Sequence, residues 1–306
     1  MADLRKELRR EQVRLPDSSG RRQRRRSLWR VLRRSPLACA GAIIVLIFLI
    51  AAVSAEHIAP YPRDASGRDI DLSRQLLSPS HRHLFGTDDL GRDVLSRTVV
   101  GTRLSLGLGL AVVCLTAVVG VVLGTLAGYC GGWLDSLIMR VGDILMAIPY
   151  MLLVIALVVA TGRGLPKMVL AVSLPWWPWY ARIVRGEILR IRRSTFIEAA
   201  RAMGASHLRI VSRHVVPNIV GVVIVQASLQ VGRAILAVAA LGFLGLGVQP
   251  PLVEWGAMVS AGRTYMPTWW WIASFPGLAI FLLGLGFNLL GDGLRDVADP
   301  RSMAVR

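Results

Sequence analysis

Long apolar runs alternate with short polar, arginine-bearing segments along this chain. The first run, residues 36–56, is long enough to cross a bilayer as one helix. Five more follow, at about residues 103–126, 137–160, 166–183, 217–242 and 270–290. The pattern predicts an all-α polytopic membrane protein with six transmembrane helices. Residues 57–102 are polar with balanced acids and bases, as in an extracytoplasmic loop, whereas arginines gather in the segments on the other side. On this reading residues 1–35 are a basic cytoplasmic tail, residues 103–290 a core holding five of the spans, and residues 291–306 a cytoplasmic C-terminal tail. Both termini fall on one side.

Details inside the spans add expectations. Residues 128–135 read as a short cytoplasmic link. Asp143 would be costly in lipid, and Arg140, on nearly the same helical face, is its natural partner. Pro149 predicts a kink. Trp176, Trp177, Trp179 and Tyr180 suggest the bilayer interface, as does the Trp269-Trp270-Trp271 run. The Gly- and Pro-rich stretch 243–256 cannot be a plain spanning helix and reads as a loop or re-entrant turn at the outer face.

Between the fourth and fifth spans lies a polar island, Thr195 to Asn218, inside a cytoplasmic loop of residues 185–217. Thr195 with Glu198 predicts a capping box. Ala199, Ala200, Ala202 and Met203 favour a helix, and Gly204 can end it in the left-handed conformation. Ser206 can cap a second short helix to about Arg213, and Pro217 can occupy the first turn of the next element.

Composition narrows the class. The 306 residues are 54% hydrophobic with mean hydropathy +0.53, which excludes an ordinary soluble protein. A formal net charge of +17 could indicate nucleic acid, but cytoplasmic loops of a polytopic protein account for it. The arginines of the N-terminal tail suit anionic lipid. Val53-Ser54-Ala55 looks like a signal-peptidase site, yet the apolar run is too long and its basic lead too extended for a simple signal peptide. Cys39, Cys114 and Cys130 show neither metal-site nor disulfide spacing.

Three other chemistries have candidate residues in this sequence. His81, His83, Asp88, Asp89 and Asp93 are metal-ligand types, but carboxylates on a turn are usually solvated, so no metal is expected. A membrane enzyme could use Ser206-His207 or the His81/His83 pair, but neither comes with a base and an orienting acid. Ala200-x3-Gly204-x5-Ile210 loosely fits a DNA-reading helix-turn-helix, which would not normally sit wedged between spans. No phosphate-loop motif is present, so the chain itself should not hydrolyse ATP.

Several motifs together carry a resemblance. Glu198-Ala199-Ala200-x3-Gly204 with Pro217 resembles the coupling loop of bacterial ABC importer permeases. Gly86-Thr87-Asp88-Asp89-Leu90-Gly91-Arg92-Asp93 resembles a signature of the C-type subunit in the dipeptide/oligopeptide/nickel permeases. Trp179-Tyr180-Ala181-Arg182-x2-Arg185, Phe243-Leu244-Gly245-Leu246-Gly247 with Pro250-Pro251 and Trp255-Gly256, and Asn288 through Asp296 continue it in order. The resemblance implies a type I ABC importer permease fold. It implies a second homologous permease subunit, two ATP-binding subunits that hold ATP and Mg, an extracytoplasmic substrate-binding protein, and a prokaryotic inner membrane. It further implies no cofactor on this chain, no nucleic acid, and peptides as cargo, with nickel or glutathione as alternatives within the family. By the same resemblance Glu198, Ala199, Ala200, Arg201, Met203, Gly204 and Ser206 would seat on the ATPase, with Ala199, Ala200 and Met203 as its small apolar face.

Members usually carry an acidic residue near the position of Val238, where this chain is apolar. Here Arg233 lies in mid-span instead, and Gln226, Gln230 and Arg233 share a helical face. That stripe is expected to line the translocation path and to favour carboxylate-bearing cargo.

Overall fold

The computed structural model describes residues 36–65 and 70–298. The basic tail, residues 1–35, lies outside them. Among the described residues the fold is helical, without strands beyond an isolated bridge between Thr87 and Asp93.

Helix α1 (Pro36–Val53) is apolar on all sides, and Leu37, Ile43, Ile47 and Val53 stay exposed on it, as on a lipid-facing helix. A loop with two one-turn helices, Ala55–Ile58 and Pro62–Ala65, leads to α2 (Val94–Cys130). Helix α2 starts well before the expected residue 103. Its cap is Asp93, whose carboxylate accepts from the Ser96 N–H at 2.7 Å. Its polar first turns are tolerable because Arg97 is nearly buried, 3.5 Å from Asp88.

The expected cytoplasmic link shrinks to Gly131, which ends α2 and starts α3 (Gly132–Ala147). At φ +71° this position suits glycine. Span three is more than kinked. Helix α3 and helix α4 (Tyr150–Thr161) meet at 95° around Ile148 and Pro149. Span four is also broken, into α5 (Leu165–Ser173) and α6 (Trp177–Arg192). By length and composition the described residues therefore hold four spanning helices, or five with the bent pair counted as one. The expected fourth span, now the α5/α6 pair, is the one not counted among them.

A hairpin follows α6: α7 (Thr195–Ala202), then α8 (His207–Ile210). A π-turn over Val211–Val215 joins α8 to α9 (Val216–Phe243). The second hairpin helix therefore does not stop near Arg213, and His207–Phe243 forms one rod. The widened turn accommodates Pro217, which cannot donate an N–H in the helical ladder. After α9 the chain turns back through a short helix, α10 (Trp255–Gly262), of the kind expected of a re-entrant stretch. Helix α11 (Trp271–Ala298) closes the fold and runs on past residue 290, where a tail was expected.

Small residues let the long helices touch. A Cβ on Gly124 of α2 would lie 2.6 Å from the Ala181 carbonyl oxygen of α6, and one on Gly41 of α1 would lie 2.6 Å from the Leu290 nitrogen of α11. Close backbone approach at small residues is how membrane helices gain packing without a hydrophobic drive between them.

Candidate functional site

At one end of α2 the hairpin is held rigidly. Gly204, at φ +79°, makes the turn between α7 and α8, and Ser206 accepts from the Arg209 N–H at 3.4 Å, both as expected. The capping box does not form. The N-cap is Ser194, and its hydroxyl donates back to the Ile191 carbonyl at 2.5 Å, so Thr195 falls inside the helix. Ile197, Ala200 and Ile210 are buried against Ile188 and Ile191 of α6 and Ile219 of α9. Ala200 is thus a packing residue, turned away from the apolar face it was expected to supply. Arg192 donates to the Tyr129 carbonyl at 3.1 Å, and the Tyr129 hydroxyl lies 2.9 Å from His207 Nδ1. Those bonds tie the hairpin to the end of α2.

Its outer side is open. Glu198, Ala199, Arg201, Gly204 and Ser206 are exposed, and Met203 is 82% exposed. Phe196 and Leu208 add to the exposed apolar surface. The Ser206 oxygen is a cap, and His207 meets Tyr129. Among the described residues the two do not form a nucleophile–base–acid arrangement.

Above the hairpin, the polar groups of spans three and four pair across helices. Asp143 pairs with Arg182, not with Arg140, because α6 packs beside α3. Asp135 accepts from Nε and one terminal nitrogen of Arg185, at 2.5 and 2.6 Å. Bidentate pairing of this kind fixes geometry as well as charge.

The breaks in spans three and four meet α9 at a cavity of about 400 Å3. Pro149, Tyr150, Trp176 and Trp179 wall it, with Gln230 and Arg233 of α9. The Tyr150 and Trp176 rings stack, centroids 4.9 Å apart. Of the four aromatic residues here, Trp177 and Tyr180 are buried and Trp179 is half exposed. Gln226, the third member of the expected stripe, does not line the cavity.

At the other end of α2 the signature loop folds into a knot. Asp88 accepts from the backbone N–H groups of Leu90 and Arg92 and from Arg92 Nε at 2.8 Å. Buried His83 and Asp93 lie 2.9 Å apart, and the Asp93 N–H donates to Asp64 at 2.9 Å. The carboxylates are thus consumed internally, and among the described residues no three His, Cys, Asp or Glu side chains could share a metal ion. Trp271 Nε1 donates to the Thr87 carbonyl at 3.2 Å, and Phe85 stacks on Phe275, centroids 3.8 Å apart. The loop therefore clamps the start of α11 to the start of α2. Nearby, buried Glu254 caps α10 through the Gly256 and Ala257 N–H groups, and burial pushes its carboxyl above the usual range.

Comparison with known proteins agrees with this architecture. Residues 120–303 match the family described as binding-protein-dependent transport system inner membrane component, and residues 24–79 match the N-terminal TM domain of oligopeptide transport permease C. A probable D,D-dipeptide transport system permease of Escherichia coli is 43% identical over 89% of this chain and 90% of its own length. A glutathione transport system permease of Pectobacterium atrosepticum is 45% identical over 90% of this chain and 91% of its own. A dipeptide transport system permease of Alkalihalophilus pseudofirmus is 43% identical over 90% of both. With more than half its length matched and with relatives this similar, the chain belongs to the family of binding-protein-dependent inner-membrane transport permeases.

Proposed function

We propose that the chain is one permease half of an ATP-driven importer of di- or oligopeptides, pairing with a second homologous permease and receiving cargo from an extracytoplasmic binding protein. Two partner ATPases seat on the cytoplasmic hairpin of α7 and α8, and both termini of the chain lie on that side. One observation carries this reading: the hairpin is rigid on its inner side and presents Met203, Phe196 and Leu208 outward beside Glu198 and Arg201. Exposed apolar residues rimmed by charge mark a protein-binding surface. Because the inner side is packed on α6 and α9, a push at Met203 moves the two helices that flank the cavity.

Met203→Asp tests it. In the reconstituted importer the variant should assemble its permease pair yet lose binding-protein-stimulated ATP hydrolysis. Hydrolysis at the unaltered rate would refute the seat. Glutathione is the second reading for the cargo, favoured by the 45% identical glutathione permease. Binding assays with the cognate binding protein, dipeptides against glutathione, decide between the two.

A further inference from the structure

We propose that the cavity at the breaks of spans three and four is a carboxylate-binding station, in which Arg233 holds the free carboxylate of the passing cargo and the aromatic wall takes its neighbouring side chain. The inference deepens the importer reading and rests on it for the statement that the occupant is cargo.

Three observations converge. Arg233 is exposed, and no carboxylate pairs with it among the described residues. A guanidinium at membrane depth is costly unless an anion or water meets it. No acidic residue lines the cavity, so the charge inside it is uncompensated. Gln230, one helical turn before Arg233 and on the same face, adds an amide donor.

The remaining wall is apolar and aromatic, led by the stacked Tyr150 and Trp176. A few convergent donors on an apolar wall, in a space of about 400 Å3, are the makings of a small-ligand site. Planar guanidinium geometry matches a carboxylate better than a point charge would. Both helix breaks border the site, at Pro149 and at Pro175–Trp176, so motion of α6 relative to α3 changes its shape directly.

The test uses the assembled importer in nanodiscs without binding protein, titrated with N-acetylphenylalanine and separately with its amide, followed by tryptophan fluorescence. The acid should bind saturably and the amide roughly tenfold to a hundredfold more weakly, the span expected for one charge-assisted contact. Arg233→Gln should erase that difference, and Arg233→Lys should retain part of it. Equal binding of acid and amide to the unaltered complex, no saturable binding of the acid, or undiminished discrimination by an assembled Arg233→Gln complex would each overturn the proposal. Uptake of peptides with binding protein present is measured in parallel. If no peptide is taken up, the peptide reading fails, and the equilibrium titration still decides the role of Arg233.

Discussion

A close helix crossing predicts opposite outcomes for two glycines of the same helix. A Cβ added at Gly124 would meet the Ala181 carbonyl oxygen at 2.6 Å, Ala181 Cα at 2.9 Å and Val184 Cβ at 2.9 Å. Non-bonded carbons prefer about 3.5–4.0 Å, so the intrusion approaches an ångström. Two of the three atoms are backbone, so no rotamer change relieves it and α2 must part from α6. Overpacking of this kind costs about 1–3 kcal/mol. The alanine returns up to about 1 kcal/mol in helix propensity, which leaves Gly124→Ala destabilising by roughly 1–2 kcal/mol. At Gly107 an added Cβ meets nothing within 4 Å, so Gly107→Ala keeps the propensity gain unopposed. Thermal unfolding of the two purified variants in one detergent should shift in opposite directions, by a few degrees each. Shifts of the same sign, or a Gly124→Ala variant as stable as the parent, would refute the close crossing of α2 and α6.

Asp93→Ala removes the cap of α2 and strands the buried His83 ring, which together should cost roughly 2–4 kcal/mol, read as lower thermal stability of the purified protein. Ile197→Ala deletes a fully buried side chain beneath the hairpin and should cost about 2–5 kcal/mol locally, read as faster amide exchange in α7 and α8 with the rest of the fold unchanged.

What was legible in the sequence is what local chemistry decides. The first span, the Gly204 turn and the Ser206 cap all follow from residue type and spacing, and so does the break at Pro149. Pairings across helices were not legible. Arg140 is the nearer neighbour of Asp143 along the chain, yet tertiary packing brings Arg182 to it. The start of α2 was misplaced because Arg97 looks like a loop residue until Asp88 meets it from the folded knot. Likewise Thr195 and Glu198 fit a capping box, but Ser194 bonds backward to Ile191 and takes the cap position first. The stripe of Gln226, Gln230 and Arg233 shares one helical face, but only the last two reach the cavity, because its other walls come from breaks that no periodicity marks. Ala200 points inward for a related reason: the short α7 needs an apolar anchor, and Ile188 of α6 provides the surface.

Cross-linking from the hairpin tests the central claim most directly. Met203→Cys, placed in a background with Cys39, Cys114 and Cys130 replaced by Ser, gives a single reactive thiol on the exposed side. A bifunctional reagent should join it to the partner ATPase in membrane vesicles, and in intact cells a membrane-impermeant thiol reagent should fail to reach it. Labelling of Cys at position 203 from outside intact cells, or the absence of any ATPase adduct, would contradict the account.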